Sequence, residues 1–303
     1  MFESHAADAT EALAALVPHL SDDRAANEPM LAALHTAGRS GVGAHRAWWL
    51  TDADGLAACC LAPQTPARTG PAKVWARTRP AAERLAALVV DEVGPVPLAA
   101  IDGPSDHAQA FADHVATVAA RSVVVDMVQR FQVLDGPRSL TPSAATTGPG
   151  PNGTLRAATE ADADTVIDWA IAFQADAFGP PPPGAMVDTG GLTVTIERKL
   201  ADGEIHLWLD GPAAQPAAMV AVAQRVPGLA RIHLVYTPPA RRGQGLAGAA
   251  TTAACRNAFE HGADACTLFS DLANPTSTGL YRRLGFRPVA DHVSLRLEPG
   301  RQR

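Results

Sequence analysis

Residues 232–247 read Ile-His-Leu-Val-Tyr-Thr-Pro-Pro-Ala-Arg-Arg-Gly-Gln-Gly-Leu-Ala. The first six of these residues are mostly apolar or β-branched, which predicts a strand over Ile232–Thr237 that Pro238-Pro239 ends. From Leu246 onward, apolar residues recur at helical spacing, and Gly262 stops the predicted helix. The sequence therefore predicts a strand, a glycine-bearing turn and a helix in direct succession.

The turn has the composition of an anion-binding site. Gly243 and Gly245 let backbone N–H groups approach a ligand closely, and the free amides of the first helical turn favour a negative charge. Arg241 and Arg242 add positive charge beside these amides. A pyrophosphate group is a ligand that suits such a turn.

Other interpretations of the turn exist. Gly243-x-Gly245-x-x-Gly248 matches the dinucleotide-binding fingerprint, but too few residues follow to complete a doubly wound sheet. Five residues also separate the strand from the first glycine, which argues further against a nucleotide-dependent dehydrogenase. A P-loop is excluded because no Gly-Lys-Ser/Thr follows. A strand–helix connection that binds nothing stays open as an alternative.

The rest of the second half alternates between predicted strands and helices, which indicates an α/β fold. Thr159 and Asp162 have capping-box spacing for one helix, and Pro180–Pro183 predict a loop after it. Asn274 and Pro275 form an N-cap and first-turn pair for a later helix. Further strands are predicted at 155–158, 205–209, 217–226, 265–270 and 289–297, the last closing this half, and a further helix at 192–200.

Two motifs resemble a known family. Arg242-x-x-Gly245-x-Ala247, with the strand before it, resembles the acetyl-CoA-binding motif of the GCN5-related N-acetyltransferase (GNAT) superfamily. Residues 271–286, Asp-Leu-Ala-Asn-Pro-Thr-Ser-Thr-Gly-Leu-Tyr-Arg-Arg-Leu-Gly-Phe, resemble the second signature of that family. The resemblance covers residues 154–297 in element order. It implies a mixed central sheet flanked by helices, acetyl-CoA as co-substrate, and acetyl transfer by direct attack of a primary amine of a small molecule or peptide.

The resemblance also implies which residues hold the cofactor. In the family, the strand before the turn splays from its neighbour, and its free backbone groups contact the cofactor. The Val235 amide would bond the acetyl carbonyl and the Thr237 amide the pantetheine arm. Asn274 would cap its helix, reach the pantetheine, or do both. The amides that would bond the pyrophosphate belong to Arg242, Gly243, Gln244, Gly245, Leu246 and Ala247.

Tyr281 is the candidate general acid, which would protonate the departing CoA thiolate while staying neutral at pH 7. The alternative is a core ring on its helix. The chain has two tyrosines, and the other, Tyr236, alternates away from the cofactor side and is expected to pack.

The general base is less clear from the motif, because this chain has Arg231 at the position where the family frequently has a basic carboxylate. The candidate base is therefore His233, which is expected on the same face of the strand as Val235. A structural histidine is the alternative for His233. Weaker candidates for the base are Glu204 and Asp271.

The first half repeats much of the same element order, which predicts a second GNAT-like domain. Its connection at 76–81 has no glycine, and the position equivalent to Tyr281 falls at Phe111 or Ala112, neither of which has a hydroxyl. We therefore expect a degenerate domain over residues 1–136, which has lost cofactor binding, and a catalytic domain over 154–303. The glycines and prolines of residues 137–153 predict a linker between them.

Composition narrows the remaining possibilities. The net charge of −6 argues against nucleic acid as a partner, and no run of 18 apolar residues suggests a membrane span. The four cysteines show neither a C-x-x-C pair nor a nearby histidine at metal-ligand spacing, so we expect buried free thiols, no metal site and a cytoplasmic location. The N-terminus also lacks the features of a signal peptide. The alternative to an acetyltransferase is a non-catalytic acyl-CoA-binding sensor or partner-binding module. The oligomeric state stays open.

Overall fold

The computed structural model describes residues 2–39, 44–63, 70–94, 98–141, 152–179, 189–211 and 214–299. The helices and strands predicted from the sequence are present along these ranges, and a strand at Glu3–Asp8 and a helix at Glu28–Arg39 are present in addition. The helices are α1 (Ala9–Leu20), α2 (Glu28–Arg39), α3 (Arg79–Val93), α4 (Ser105–Ala119), α5 (Ala163–Phe178), α6 (Thr189–Ala201), α7 (Leu246–Glu260) and α8 (Pro275–Arg283). The strands are β1 (Glu3–Asp8), β2 (His45–Asp52), β3 (Gly55–Pro63), β4 (Ala72–Ala76), β5 (Ala100–Pro104), β6 (Arg121–Leu134), β7 (Gly153–Ala157), β8 (Ile205–Asp210), β9 (Gln215–Val226), β10 (Leu229–Tyr236), β11 (Ala265–Asp271) and β12 (Arg287–Pro299).

The chain divides into two compact units that are not the two contiguous halves expected from the sequence. Unit 1 comprises Met1–Phe131, Ser270–Ala273 and Pro288–Arg303, and unit 2 comprises Gln132–Phe269 and Asn274–Arg287. The end of the chain therefore belongs with the first unit, whereas the sequence assigned it to the range 154–303.

Unit 1 contains a sheet in the order β1-β2-β3-β4-β5-β12. β12 runs antiparallel to β5, from His292 opposite Pro104 to Arg296 opposite Ala100. The expectation that residues 289–297 close the second half is wrong in this respect, because their alternating apolar side chains are buried in the core of unit 1. The sequence did not predict β1, because its residues lack apolar alternation. The strand forms because its backbone pairs with β2 along its whole length.

Unit 2 contains a sheet in the order β11-β10-β9-β8-β7, in which β10 and β11 are parallel and the other pairs antiparallel. Each face of the sheet carries its own core. The α7-side core joins one face to α7 and α8 and includes Ile232 and Leu246. The α5–α6-side core joins the opposite face to α5 and α6 and includes Ile196 and Tyr236. The strands of this sheet are thus covered on both faces, as their apolar sequences predict.

Local signals read from the sequence are confirmed in unit 2. Thr159 and Asp162 form the capping box, in which the Thr159 amide donates to the Asp162 carboxylate at 2.8 Å. Hydrogen bonds from Arg156 lower the pKa of the Asp162 carboxyl below its ordinary value. Residues 180–188, which contain the proline run, lie outside the described residues.

Part of the expected linker is ordered within unit 2. Pro137–Ser139 form a helical turn, and the Thr141 amide donates to the Leu284 carbonyl at 3.1 Å. A side chain at Gly285 would place its Cβ 2.0 Å from the Ser139 carbonyl oxygen, so only glycine permits this approach. Residues 142–151 of the linker lie outside the described residues.

Candidate active site

β10 and β11 pair only at their first residues. Their register runs from Leu229 opposite Ala265 to Arg231 opposite Thr267, and no later residue of β10 has a partner in β11 within the described part of the chain. The two parallel strands therefore separate towards their carboxyl ends, next to the start of α7. Because unpaired backbone groups need hydrogen-bond partners, this side of β10 is suited to a ligand.

A bulge interrupts the other ladder of β10 beside the same opening. His233 pairs with Ala221 and Tyr236 with Met219, so Leu234 and Val235 together stand opposite a single position of β9. Leu234 has a φ of +52°, in the left-handed region that costs a non-glycine residue about 1–3 kcal/mol. The bulge directs Val235 to the α7-side core and Leu234 to the α5–α6-side core.

The turn between β10 and α7 has the backbone that its glycines predict. Gly243 and Gly245 both have a φ of +77°, and Gly245 is the N-cap of α7. Being glycine, this N-cap has no side chain to satisfy the N–H groups of the first helical turn. A Cβ at Gly243 would meet no atom within 4 Å, so the space beside the turn is open. Open space in front of uncapped amides is the geometry that an anion requires.

The two arginines of the turn are held by protein groups. The Arg241 guanidinium pairs with Asp210. The Arg242 guanidinium pairs with Asp176, and its Nε donates to the Thr237 carbonyl at 3.0 Å. Each aspartate cancels part of the positive charge that the sequence places at the turn. Binding of an anion here therefore relies on the backbone amides more than on the arginine side chains.

Tyr281 lies in the α7-side core, which Val235 and Leu246 also contact. Its ring is 7% exposed and packs edge-on against Phe286, with 5.9 Å between ring centroids. Burial raises the pKa of Tyr281 to about 12, although a hydrogen bond with the Ser277 side chain acts in the opposite direction. The phenol therefore keeps its proton at pH 7, and both interpretations of Tyr281 fit its position.

Asn274 begins the helix that carries Tyr281. Its side-chain oxygen accepts from the Ser277 amide at 3.0 Å, and Pro275 follows in the first turn. The capping role expected from the sequence is thus present. Its contact with pantetheine stays a prediction.

His233 and Val235 lie on opposite faces of β10, so the expectation of a shared face is wrong. The bulge inserts one residue between them and reverses the alternation. Burial, together with the positive charges of Lys199, Arg231 and Arg225, lowers the pKa of His233 to about 3. The imidazole is therefore neutral at pH 7. Its Nε2 is buried without a hydrogen-bond partner among the described residues.

A buried carboxylate lies among these cations. Glu204, just before β8, is 6% exposed and accepts from Lys199 Nζ at 2.9 Å and from Arg225. Both of its carboxylate oxygens are engaged, which makes it a poor candidate for the base. The Arg231 guanidinium lies over the Phe269 ring, 5.1 Å from its centroid. Sequence reasoning named Glu204 and Arg231 singly but missed the grouping with Lys199 and Arg225, because no local motif joins residues of α6, β9 and β10 to the start of β8.

In unit 1, the strands and the turn that correspond to the opening between β10 and β11 and to the turn before α7 are closed. β4 and β5 are paired from Ala72 opposite Ile101, and a Cβ at Gly103 would lie 2.3 Å from the Val74 carbonyl oxygen. The two backbones thus stay in contact beyond the first pairs. The Thr78 side chain caps the first turn of α3 by accepting from the Ala81 amide at 3.4 Å. The Thr78 hydroxyl thus occupies one amide of the first helical turn, whereas the corresponding N-cap of α7 is a glycine without a side chain.

The cysteines are buried free thiols, as predicted: Cys59, Cys60, Cys255 and Cys266. Burial raises the pKa values of the Cys59 and Cys60 thiols above the ordinary range. Within the described ranges, no group of three or more histidine, cysteine or acidic residues could hold a metal ion. No helix in the described part of the chain is long and apolar enough to cross a bilayer.

Comparison with known proteins shows which family this part of the chain resembles. The family model for the acetyltransferase (GNAT) family matches residues 170–286, from within α5 to the residues just after α8. Residues 170–286 are therefore similar to the acetyltransferases of the GNAT family, a family that binds acyl-CoA. No curated protein matches the sequence.

The chain also aligns over its full length with solved structures at low sequence identity. One is a GCN5-related N-acetyltransferase from Sphaerobacter thermophilus, at 15% identity over 98% of this chain and 96% of that chain, with a TM-score of 0.60. Another is a tandem GNAT protein from the clavulanic acid biosynthesis pathway, at 14% identity over 100% of both chains, with a TM-score of 0.57. The chain as a whole has the fold of a tandem GNAT protein, as the sequence predicts, and the family model matches only its C-terminal part.

Proposed function

We propose that the chain is an N-acyltransferase that moves an acetyl group from acetyl-CoA to the primary amine of a small molecule or peptide. The observation that carries the proposal is the separation of β10 from β11 beyond Arg231, which opens beside the uncapped N-terminus of α7. A thioester with an extended arm and a pyrophosphate suits this arrangement, because the arm fits a split sheet and the anion fits the helix start.

The cofactor contacts follow from this placement. The amides of residues 242–247 hold the pyrophosphate, and the Thr237 amide holds the pantetheine arm. The Val235 amide, beside the bulge, donates to the acetyl carbonyl. This donor acts as an oxyanion hole, since its hydrogen bond strengthens as the tetrahedral intermediate develops negative charge. The Asn274 side chain caps α8 and contacts the pantetheine with its amide group.

The reaction proceeds by direct attack. The neutral acceptor amine forms a bond to the thioester carbonyl carbon, and the carbon–sulfur bond of the tetrahedral intermediate then breaks. Tyr281 donates its phenolic proton to the departing thiolate and regains one from solvent. The pKa of Tyr281, raised to about 12, supports this role because the group is protonated at any working pH.

His233 accepts the proton that the amine loses, through its unpartnered Nε2. With its pKa at about 3, the imidazole of the free protein is a weak base. The same cations also disfavour an ammonium ion nearby, which helps the acceptor to reach the neutral form that attacks.

The second candidate function is a non-catalytic acyl-CoA sensor. One observation favours it: the position where the family frequently has a basic carboxylate is Arg231 in this chain. The sensor and the enzyme share the cofactor site and differ only in turnover.

One experiment separates the two functions. Acetyl-CoA is incubated with the protein and a panel of primary amines, and free thiol is measured, while calorimetry measures acetyl-CoA binding. Amine-dependent thiol release supports the enzyme, and tight binding without release across the panel supports the sensor. If calorimetry detects no binding of CoA or acetyl-CoA, both are wrong.

A further inference from the structure

The α5–α6 face of unit 2 carries a partly buried group of charges beside His233. We call it the basic cluster and define it as Lys199, Arg225 and Glu204. Lys199 Nζ lies 2.9 Å from one carboxylate oxygen of Glu204, and the Arg225 guanidinium pairs with the other. The side chains of Lys199 and Arg225 are 17% and 29% exposed, so both cations lie at the edge of the core rather than fully inside it.

The charges of the basic cluster do not balance. Two cations share one carboxylate, which leaves one positive charge in excess without counting Arg231 on the neighbouring strand. On α5, which packs on the same face, the acidic side chains are exposed, and Asp176 pairs with Arg242. A partly buried excess charge is costly unless it is paired. The local charge is thus opposite in sign to the net charge of −6 of the whole chain.

His233 supplies a second and independent observation. Its Nε2 is buried without a partner on the same face as these cations. Three cations act on the imidazole, Lys199 from α6, Arg225 from β9 and Arg231 from its own strand, and they help to hold its pKa far below the range of a useful base. Burial is the larger cause of the low pKa and would remain, but a negative charge placed beside these cations would offset their effect and raise the pKa of His233. The ring would then accept a proton more readily when that charge is present.

We propose that the acyl acceptor is an amine that also carries an anionic group, a carboxylate or a phosphate, and that this group binds to the basic cluster beside His233. The inference rests on the proposed function and names the substrate class of the same site. The acceptor's anion pairs with the excess charge of Lys199 and Arg225, and its amine points to the opening between β10 and β11.

Matched pairs of amines test the proposal. β-Alanine is compared with ethylamine, and O-phosphoethanolamine with ethanolamine, so that each pair differs only in the anionic group. Since a hydrogen-bonded charge contributes about 1.5–3 kcal/mol, we expect kcat/KM for the anionic member to be about 10- to 100-fold higher in at least one pair. The pair that shows the preference distinguishes a carboxylate from a phosphate.

Three variants locate the preference. Arg225→Gln leaves Glu204 paired with Lys199 and removes the excess charge. The preference for the anionic over the neutral amine should therefore fall about tenfold or more, because KM for the anionic amine rises. Arg225→Lys keeps the charge and should keep the preference. Arg198→Gln is the matched control, because it removes a cation from an exposed position of the same helix as Lys199 and should change nothing.

The outcomes separate this inference from the proposed function. Equal transfer to neutral and anionic amines, or a preference unchanged in Arg225→Gln, would overturn the inference and leave the acyltransferase standing. Where no amine is turned over, calorimetry on the CoA-loaded protein decides: binding of an anionic amine but not of its neutral partner supports the inference, and binding of neither anionic amine overturns it. Loss of acetyl-CoA binding itself would instead refute the proposed function.

Discussion

Tyr281→Phe removes one hydroxyl from the α7-side core and leaves the ring in place. The ring still packs against Phe286, so the folding cost is the lost hydrogen bond with Ser277, about 1 kcal/mol. If the phenol protonates the leaving thiolate, turnover should fall about 10²-fold or more, which corresponds to about 2.7 kcal/mol of transition-state stabilisation. Affinity for acetyl-CoA should stay nearly unchanged, because the hydroxyl acts on the reacting sulfur rather than on binding.

The assay combines thiol release at saturating acetyl-CoA with calorimetry and urea unfolding. Tyr236→Phe is the matched control, since it makes the same chemical change in the α5–α6-side core and should preserve turnover. Ser277→Ala removes the partner of the phenol and should cost similar stability with a much smaller loss of turnover. Normal turnover in Tyr281→Phe with weakened CoA binding would assign Tyr281 to positioning the cofactor. A variant that unfolds would support the core-ring interpretation.

Gly245→Ala should weaken CoA binding tenfold or more by calorimetry. Gly262→Ala is the control, because it also replaces a left-handed glycine; both variants should lose about 1–2 kcal/mol of stability, but Gly262→Ala should leave CoA binding intact. Equal CoA binding in both variants would contradict the placement of the turn. The low pKa of His233 means that the unfolded chain binds a proton more readily between about pH 6.5 and 3, so folding stability should fall as the pH drops through this window. At pH 5 the free energy of unfolding should be about 2 kcal/mol lower than at pH 7, and the urea midpoint of His233→Gln should not show this decrease. If the midpoints of the wild type and of His233→Gln change in parallel with pH, the burial argument is refuted. Calorimetry should give one CoA per chain, because the corresponding position of unit 1 is closed, and a stoichiometry of two would show otherwise.

The alkaline behaviour of the enzyme follows from the same phenol. Since the folded pKa of Tyr281 is raised to about 12 from an ordinary value of 10.0, its contribution to stability is full below pH 10 and is lost as the pH rises through 12. Tyr281 should therefore impose no fall in kcat/KM between pH 7 and 10. If kcat/KM declines between pH 7 and 10 while the protein stays folded, a group other than Tyr281 must be the acid.

Local chemistry could be read from the sequence because it depends on neighbours in the chain. The strand–turn–helix at 232–247 and the cap at Asn274 follow from glycine, proline and capping preferences that act within a few residues. The resemblance to the GNAT family and the tandem fold followed from the two motifs and the order of elements; the family model confirms the resemblance over residues 170–286, and the solved structures confirm the fold. The roles of Tyr281 and the turn residues stay predictions.

Tertiary structure alone decided what depends on residues far apart in the sequence. Alternation placed His233 and Val235 on one face, and the bulge at Leu234 reversed that arrangement, because one extra residue in a ladder shifts every following side chain to the other face. The apolar alternation of β12 predicted a buried strand but not its partner, since any sheet edge with an apolar face can accept it. The pairing of Glu204 with Lys199 and Arg225 likewise arises only when α6, β8 and β9 pack together, which no spacing along the chain reveals.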